Sequence, residues 1–269
     1  MYCDYFNDKV VTFISYGGIL MDLKIMTFNV LNGWSTSNIG KRDDLAASAI
    51  LEHEPDIIGF QEINSNERRW VRSILGTEYA LVGGGRDENY RGEGCSMAFK
   101  TDIMELVKMD TLWLSDTPEV SGSRYCGIDQ SPFPRLLHSL TLKHKEASRT
   151  ITVINTHLDH MGTMVRAKEL SQIYRYIADN KASGALMGDF NLKPDTELIA
   201  DFSAQLEKLD WRDVTVNINE TYHEYGKCSS KIDYIYTDLD CIQSYKVSDI
   251  ENGVYCSDHY PICAVIRLP

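Results

Sequence analysis

The sequence predicts an α/β protein in which β-sheets pack against each other and helices cover the outside. Short apolar strand segments are interspersed with a few amphipathic helices along 269 residues, a mixture typical of layered sheets with external helices. Two segments, LLHSLTLK and TITVINTHL, alternate apolar and polar side chains, as strands with one face in a core do. Composition is even along the chain, so we expect one domain at 23–269 after an N-terminal extension at 1–22.

Each element is placed by its apolar periodicity and by the residues that end it. Strands are predicted at 23–30, 56–63, 78–82, 95–100, 103–112, 137–143, 150–157, 185–190, 231–237, 242–247 and 262–268. Helices are predicted at 41–54, 66–75, 162–180 and 197–208. Pro55 ends the first helix, because proline cannot continue it. Three prolines and two glycines between Ser115 and Pro134 predict a long loop, and loops of this length usually carry function.

The charge balance limits the partners of the protein. Lys and Arg number 27 and Asp and Glu number 39, which gives a formal net charge of −12. An acidic surface repels phosphate backbones, so tight non-specific binding of duplex nucleic acid is disfavoured. A phosphate-ester substrate, including a nucleic acid, remains open, because a bound divalent metal supplies positive charge locally.

Seven scattered cysteines without a Cys-x-x-Cys pair argue against a zinc site or a disulfide framework. We interpret them as reduced and mostly buried, and expect a cytoplasmic, monomeric protein.

No apolar run approaches the roughly 20 residues that cross a bilayer. Residues 10–21 are mildly apolar, but Asp4 and Asp8 precede them, which fits a signal peptide poorly. Translation from Met1 and from Met21 both remain open.

Polar side chains stand where several predicted strands end, and a rigid strand end is a natural place for a site. Each of these residues has an ordinary explanation when it is taken alone. Asn29 could cap a turn, and Glu62 could lie at a surface strand end. Of the two histidines in NTHLDH, one could be structural and the other exposed. Together they suit metal-assisted phosphoryl transfer, which needs oxygen ligands, a base for water and donors to phosphoryl oxygens. The segments are TFNV, GFQEI, NTHLDH, GDFNLKP, KIDYIY and SDHYP.

In this order the segments resemble the endonuclease/exonuclease/phosphatase superfamily, in particular a bacterial branch whose substrates are poorly defined. The likeness runs from Leu23 to Leu268, and GDFN followed far downstream by SDH, with QE and HL-D upstream, is specific as a set. The resemblance implies a four-layer α/β/β/α sandwich of two packed mixed sheets. It also implies a magnesium-dependent enzyme, with Mn²⁺ as a substitute, in which water activated by the metal and an aspartate attacks phosphorus directly.

Site roles are carried over from the same resemblance. The metal site is expected to involve Asn29, Glu62 and Asp258. Asp189 resembles the residue that orients and deprotonates water, and Asn191 the one that contacts the phosphate. His259 resembles the histidine at the scissile phosphate and Asp233 the carboxylate that fixes its ring. His157 resembles a second donor to the transition state.

Substrate choice is the open question at this level. Arg135 and Arg166 could each pair with a phosphate oxygen, although Arg166 could instead be a helix partner of Glu169. The loops Gly83–Gly94 and Ser115–Pro134 are expected to select the substrate. A phosphodiester, such as a nucleic acid, is the leading prediction. The alternatives are a phosphorylated small metabolite and, in another class, a binding protein that has lost catalysis on the same scaffold.

Overall fold

A computed structural model describes residues 21–32, 39–248, 250–251 and 253–268. Residues 1–20 of the predicted extension lie outside this range, and Met21 and Asp22 belong to the first strand. The strands in chain order are β1 (Met21–Asn29), β2 (Ile57–Gln61), β3 (Tyr79–Val82), β4 (Met97–Lys100), β5 (Met104–Trp113), β6 (Leu136–His144), β7 (Thr150–His157), β8 (Gly184–Asp189), β9 (Arg212–Asp213), β10 (Asp233–Thr237), β11 (Asp240–Lys246), β12 (Ile250–Glu251), β13 (Val254–Tyr255) and β14 (Ile262–Leu268).

Two mixed six-stranded sheets form the body of the molecule. Sheet 1 has the order β11-β14-β1-β2-β4-β3, and sheet 2 has the order β5-β6-β7-β8-β10-β9. In each sheet the central pair is parallel, β1 with β2 and β7 with β8, while the remaining neighbours are antiparallel. The parallel pairs bring the carboxyl ends of four strands to the edges where polar residues were predicted.

Four α-helices are found within the described ranges, and side-chain caps mark the start of two of them. They are α1 (Ile39–His53), α2 (Ser65–Leu75), α3 (Thr163–Asn180) and α4 (Glu197–Leu206). In α2 the Asn64 side chain accepts from a helix amide while Glu67 reaches back to the cap, so the helix starts one residue before the predicted bound. Thr196 caps α4 in the same way with one hydrogen bond.

The apolar core has three layers of packing, which makes the fold a four-layer α/β/β/α sandwich. Ile25, Leu140 and Met187 belong to a cluster between the two sheets. A second cluster packs α3 and α4 on sheet 2, and a third packs α1 and α2 on sheet 1. The predicted fold class is therefore confirmed. No helix in the described ranges is both long and apolar enough to cross a membrane.

A few features depart from the sequence expectations. The two-residue strand β9 and the small β12–β13 hairpin were not predicted, because segments this short carry no periodic signal. Three of the six described cysteines, Cys95, Cys256 and Cys263, are buried, so half rather than most of them lie in the interior. No disulfide joins any of these six described cysteines. The segment 115–134 is a loop, as predicted.

Candidate active site

Strand register brings predicted residues of sheet 2 side by side. In the parallel β7–β8 ladder His157 is the partner of Asp189, and in the antiparallel β8–β10 ladder Asp233 is the partner of Asp189. Gly188 makes this arrangement compatible with its neighbours: its φ is +147°, and a Cβ there would lie 2.0 Å from the Thr156 carbonyl oxygen. The backbone conformation and the close approach of Thr156 therefore explain why the GDFN motif has a glycine at this position.

Sheet 1 delivers its polar residues to the same edge. Asn29 pairs in register with Gln61, so Glu62 follows directly at the end of β2. The Asn29 side chain is buried, and its Nδ2 donates to Glu62 Oε1 at 3.2 Å and to Asp189 Oδ2 at 3.1 Å. One amide nitrogen thus joins a carboxylate of sheet 1 to a carboxylate of sheet 2. The two sheets are therefore connected by hydrogen bonds at this point.

Backbone strain accumulates at this junction. Glu62 has a φ of +59° and Asn191 a φ of +50°, both in the left-handed region. Asparagine tolerates this conformation, but it is uncommon for glutamate. Residues held this way cost of order 1–3 kcal/mol and cluster at functional sites. Hydrogen bonds hold both of them: the Asn32 amide donates to Glu62 Oε2, and Asn191 Nδ2 donates to the Leu158 carbonyl.

Asp189 is almost completely buried, and its two oxygens are held separately. Oδ1 accepts from the Asn191 amide at 2.9 Å, while Oδ2 accepts from Asn29 and lies 3.4 Å from His157 Nε2. Burial, followed by the nearby Asp233 carboxylate, raises the pKa of Asp189. Burial, together with Arg135 and Arg86, holds the pKa of His157 well below its usual range. His157 is therefore a neutral ring, and its contact with Asp189 is not an ion pair.

His259 and Asp233 form a buried charged pair. His259 Nδ1 donates to Asp233 Oδ2 at 2.9 Å, which leaves Nε2 facing Asp189 Oδ2 at 3.7 Å. Burial opposes the charged ring, but Asp233, Asp189 and Asp258 together raise the pKa of His259 to about 10. The ring is thus an imidazolium at neutral pH, with its free N–H directed at the site. Tyr222 packs on it with ring centroids 4.9 Å apart.

Carboxylates concentrate on the Glu62 side. Burial raises the pKa of Glu62, and Asp258 and Glu93 raise it further against the opposing effect of His259. Asp189, Asp233 and His259 also offer ligand atoms within 4.8 Å of one another. We assign that second group to hydrogen bonding rather than to a metal, because His259 Nδ1 is already occupied by Asp233. Around Glu62 the carboxylates of Asp258 and Glu93 repel its negative charge. This group of oxygen ligands fits a hard divalent cation better than the Asp189, Asp233 and His259 group does.

A cleft of about 450 Å³ opens over these residues, lined among others by Glu62, Arg135, His157, Asp189, Asn191, Asp258 and His259. Asn29 and Asp233 lie buried beneath it. The structure therefore brings together nine of the ten predicted site residues. A wider groove of about 850 Å³ is lined instead by Ser115, Gln172, Arg175 and Tyr176, between a loop and α3. None of the ten predicted site residues lines this groove, although the loop Ser115–Pro134 that was expected to select the substrate forms one side of it.

Arg166 is the predicted site residue that stands apart. Its Nη1 donates to the Asp159 carbonyl at 3.0 Å. Asp159 in turn accepts from the amides of Ser131, Met161 and Gly162, and its own amide donates to Glu169. Arg166 therefore braces the turn that carries His157 and His160. Arg166 forms no ion pair with Glu169 and does not line the cleft, and its contact with a phosphate stays a prediction.

Sequence reasoning missed Arg86, a buried residue that also lines the cleft. Its Nη2 pairs with Glu93 at 2.7 Å, and its guanidinium lies 4.6 Å from the Phe133 ring centroid. The only signal was its place in a glycine-rich loop already expected to select the substrate. The packing of Tyr222 on His259 could not be predicted from the sequence either.

A pair of amides below the site ties the sheets together. Gln61 Nε2 donates to Asn155 Oδ1 at 2.7 Å, and Asn155 Nδ2 donates to the carbonyls of Phe60 and Cys95 at 2.9 and 3.0 Å. Gly59 leaves room for this contact, since a Cβ there would lie 2.8 Å from Asn155. Apolar packing is not directional, whereas these hydrogen bonds fix how the two sheets face each other.

Replacing Asn155 by Leu is expected to lower the free energy of unfolding by about 3 kcal/mol, because buried carbonyls lose their donor. Activity should fall by about 10-fold or more, since Glu62 and Asp189 lose their fixed separation. Urea denaturation and steady-state turnover measure the two effects. Val153→Ala, which removes packing on the same strand, is the matched control and should keep activity within a few-fold. Equal activity losses in both variants would contradict the positioning role.

Comparisons with known proteins agree with this geometry. The sequence matches the Endonuclease/Exonuclease/phosphatase family model over residues 26–259. An endonuclease/exonuclease/phosphatase from Bacteroides vulgatus superposes with a TM-score of 0.83 at 25% identity, covering 93% of this chain and 100% of that one. A mannosyl-6-phosphatase from Bacteroides thetaiotaomicron gives 0.78 at 21% identity, covering 91% and 99%. TDP2 from D. rerio, in complex with a single-stranded DNA product, gives 0.69 at 16% identity, covering 92% and 99%.

A comparison with curated proteins finds no match. The four-layer fold, with carboxylates, amides and histidines meeting at the edge of both sheets, defines the class as a phosphoesterase. The chain belongs to the endonuclease/exonuclease/phosphatase family, whose members are divalent-metal-dependent phosphoesterases. The family and the enzymatic class predicted from the sequence are thereby confirmed.

Proposed function

We propose that the protein is a Mg²⁺-dependent hydrolase in which water attacks the phosphorus of a phosphodiester directly. The observation that carries this proposal is the Asn29 amide, which holds Glu62 and Asp189 together across the two sheets. Glu62 and Asp258 would hold the cation on one side, and His259 presents an N–H on the other. A phosphoryl group seated between them meets a base, an acid and a cation at once.

Each residue has a distinct task in this reaction. Asp189 orients the attacking water and accepts its proton as the new P–O bond forms. His259, held by Asp233, donates from Nε2 to the leaving oxygen as the old P–O bond breaks. Neutral His157 and Asn191 donate to the non-bridging oxygens. When bound, a divalent cation neutralises charge on the phosphoryl group.

A phosphomonoester of a small metabolite is the second candidate substrate. The cleft holds two arginines, Arg86 and Arg135, and its volume of about 450 Å³ suits a compact molecule. The solved neighbours cover both chemistries, since one is named a mannosyl-6-phosphatase and another is bound to single-stranded DNA. A cytoplasmic location stays a prediction of the cysteine pattern.

Removing the metal tests the proposal most directly. Treatment with EDTA is expected to lower hydrolysis by about 100-fold or more, and added Mg²⁺ should restore it. The measurement is a screen of bis-p-nitrophenyl phosphate, p-nitrophenyl phosphate, single- and double-stranded oligonucleotides, inositol phosphates and sphingomyelin. A profile restricted to monoesters would favour the second candidate. Hydrolysis that persists fully in EDTA would contradict metal dependence.

A further inference from the structure

Arg135 carries a charge that the protein itself leaves uncompensated. The residue is only 5% exposed, and in the described part of the chain no carboxylate forms an ion pair with it. Its Nη2 lies 3.1 Å from His160 Nδ1, a neutral acceptor at most, while Nε and Nη1 are buried without an acceptor. A buried, unpaired guanidinium is costly unless an anion joins it.

Arg86 stands next to it and adds a second charge. Both arginines line the cleft with His157, and a narrower recess is lined by the same three residues together with Glu62 and Glu93. Burial and then the neighbouring Arg135 charge lower the pKa of Arg86. Glu93 pairs with Arg86 at 2.7 Å. Glu93 is thus engaged by Arg86, whereas Arg135 beside it keeps two buried nitrogens without an acceptor.

The arginine pair borders the metal side. Glu62 lines the narrow recess together with Arg86 and Arg135, and Asp258 lines the wider cleft with them. A guanidinium presents its donors in a planar fork that matches phosphate geometry. An anion bound here would sit next to the scissile phosphoryl group or share oxygens with it.

We propose that Arg86 and Arg135 form a subsite for a terminal, doubly charged phosphate group, which makes the enzyme select substrates bearing such a group. This inference rests on the proposed function and names its substrate class. A terminal phosphate has two sources: the scissile group of a monoester, or a phosphate adjacent to a scissile diester. Both give the arginine pair a dianion with three oxygens free to accept hydrogen bonds.

The experiment measures selectivity with four substrates in two pairs. One pair is p-nitrophenyl phosphate and bis-p-nitrophenyl phosphate, and the other is a thymidine dinucleotide with and without a 5′-phosphate. The wild type is expected to favour the member with a terminal phosphate in at least one pair, and the pair in which it does identifies the source. In Arg135→Gln the ratio of kcat/KM within that pair should fall by about 10-fold or more. Arg91→Gln, an exposed arginine of the same loop, is the control and should keep the ratio.

Binding of inorganic phosphate by calorimetry separates this inference from the proposed function, because it requires no turnover. Arg135→Gln should weaken phosphate binding by about 10-fold or more, with Arg135→Lys intermediate since lysine lacks the fork. The melting temperature of Arg135→Gln should not fall, as an unpaired buried charge is removed. If this variant melts lower, Arg86→Gln and Arg135→Lys decide the question. Equal losses on all substrates, or unchanged phosphate binding in the folded variants, overturn the subsite.

Discussion

Asp189→Asn is expected to reduce kcat by about 1000-fold or more, because the amide cannot accept the proton of the attacking water. The substitution keeps the shape of the side chain and removes only the charge and basicity. In the structure both carboxylate oxygens are occupied by designated donors, the Asn191 amide on Oδ1 and the Asn29 amide on Oδ2. An asparagine retains one acceptor and sets an NH₂ group against one of those donors.

The same variant should not be less stable by more than about 1 kcal/mol in free energy of unfolding. The wild-type carboxylate is almost fully buried beside Asp233, and burial together with that neighbour raises its pKa. Removing a buried charge relieves this repulsion and offsets the lost hydrogen bond. Urea denaturation and turnover of bis-p-nitrophenyl phosphate measure stability and activity on one preparation.

A nearby exposed acid provides the control. Asp195 lies in the loop after β8 and is exposed, so Asp195→Asn should keep activity within about 3-fold. Catalysis by Asp189→Asn above a tenth of the wild-type rate would contradict the assignment of the base. A collapse of stability without loss of specific activity in the folded fraction would show a structural role instead.

The sequence could predict the fold because its strands and helices are locally encoded. Pro55 and the alternation along β6 and β7 can be interpreted without tertiary information, and the observed bounds differ from the predicted ones by only a few residues. The predicted strand 231–237 begins instead at Asp233, since Lys231 points to Asp213 and to the Thr215 carbonyl. The pairing of Lys231 with Asp213 joins distant parts of the chain, so no pattern in the local sequence predicts it.

The candidate site was predictable in its members but not in its connections. The polar residues at strand ends could be found from the sequence, because apolar strands rarely end on ionisable groups without a reason. The Asn29 bridge and the Gln61–Asn155 contact cross from one sheet to the other, and no spacing along the chain encodes them. Arg86 enters the cleft only because its loop folds back, with Gly85 donating to the Tyr90 carbonyl and Arg86 to that of Glu93.

Replacing His259 by Ala is expected to lower kcat by about 1000-fold or more. The variant loses the N–H that faces the leaving oxygen and the positive charge held beside Asp189. Asp233→Asn should cost about 100-fold, because the ring stays in place but loses the carboxylate that accepts from Nδ1 and stabilises the imidazolium. Turnover of bis-p-nitrophenyl phosphate at saturating Mg²⁺ measures both losses. Asp240→Asn, whose side chain is 89% exposed at the start of β11, is the control.

The double variant separates a positioning residue from an independent catalytic group. If Asp233 acts only through His259, Asp233→Asn should cost less than about 3-fold once His259 is already Ala, so the two losses do not add. Full additivity would show that Asp233 serves the reaction by another route, for example through its register neighbour Asp189. Because the Nδ1–Oδ2 bond of 2.9 Å is the sole side-chain hydrogen bond that Asp233 makes in the described part of the chain, we expect strong non-additivity.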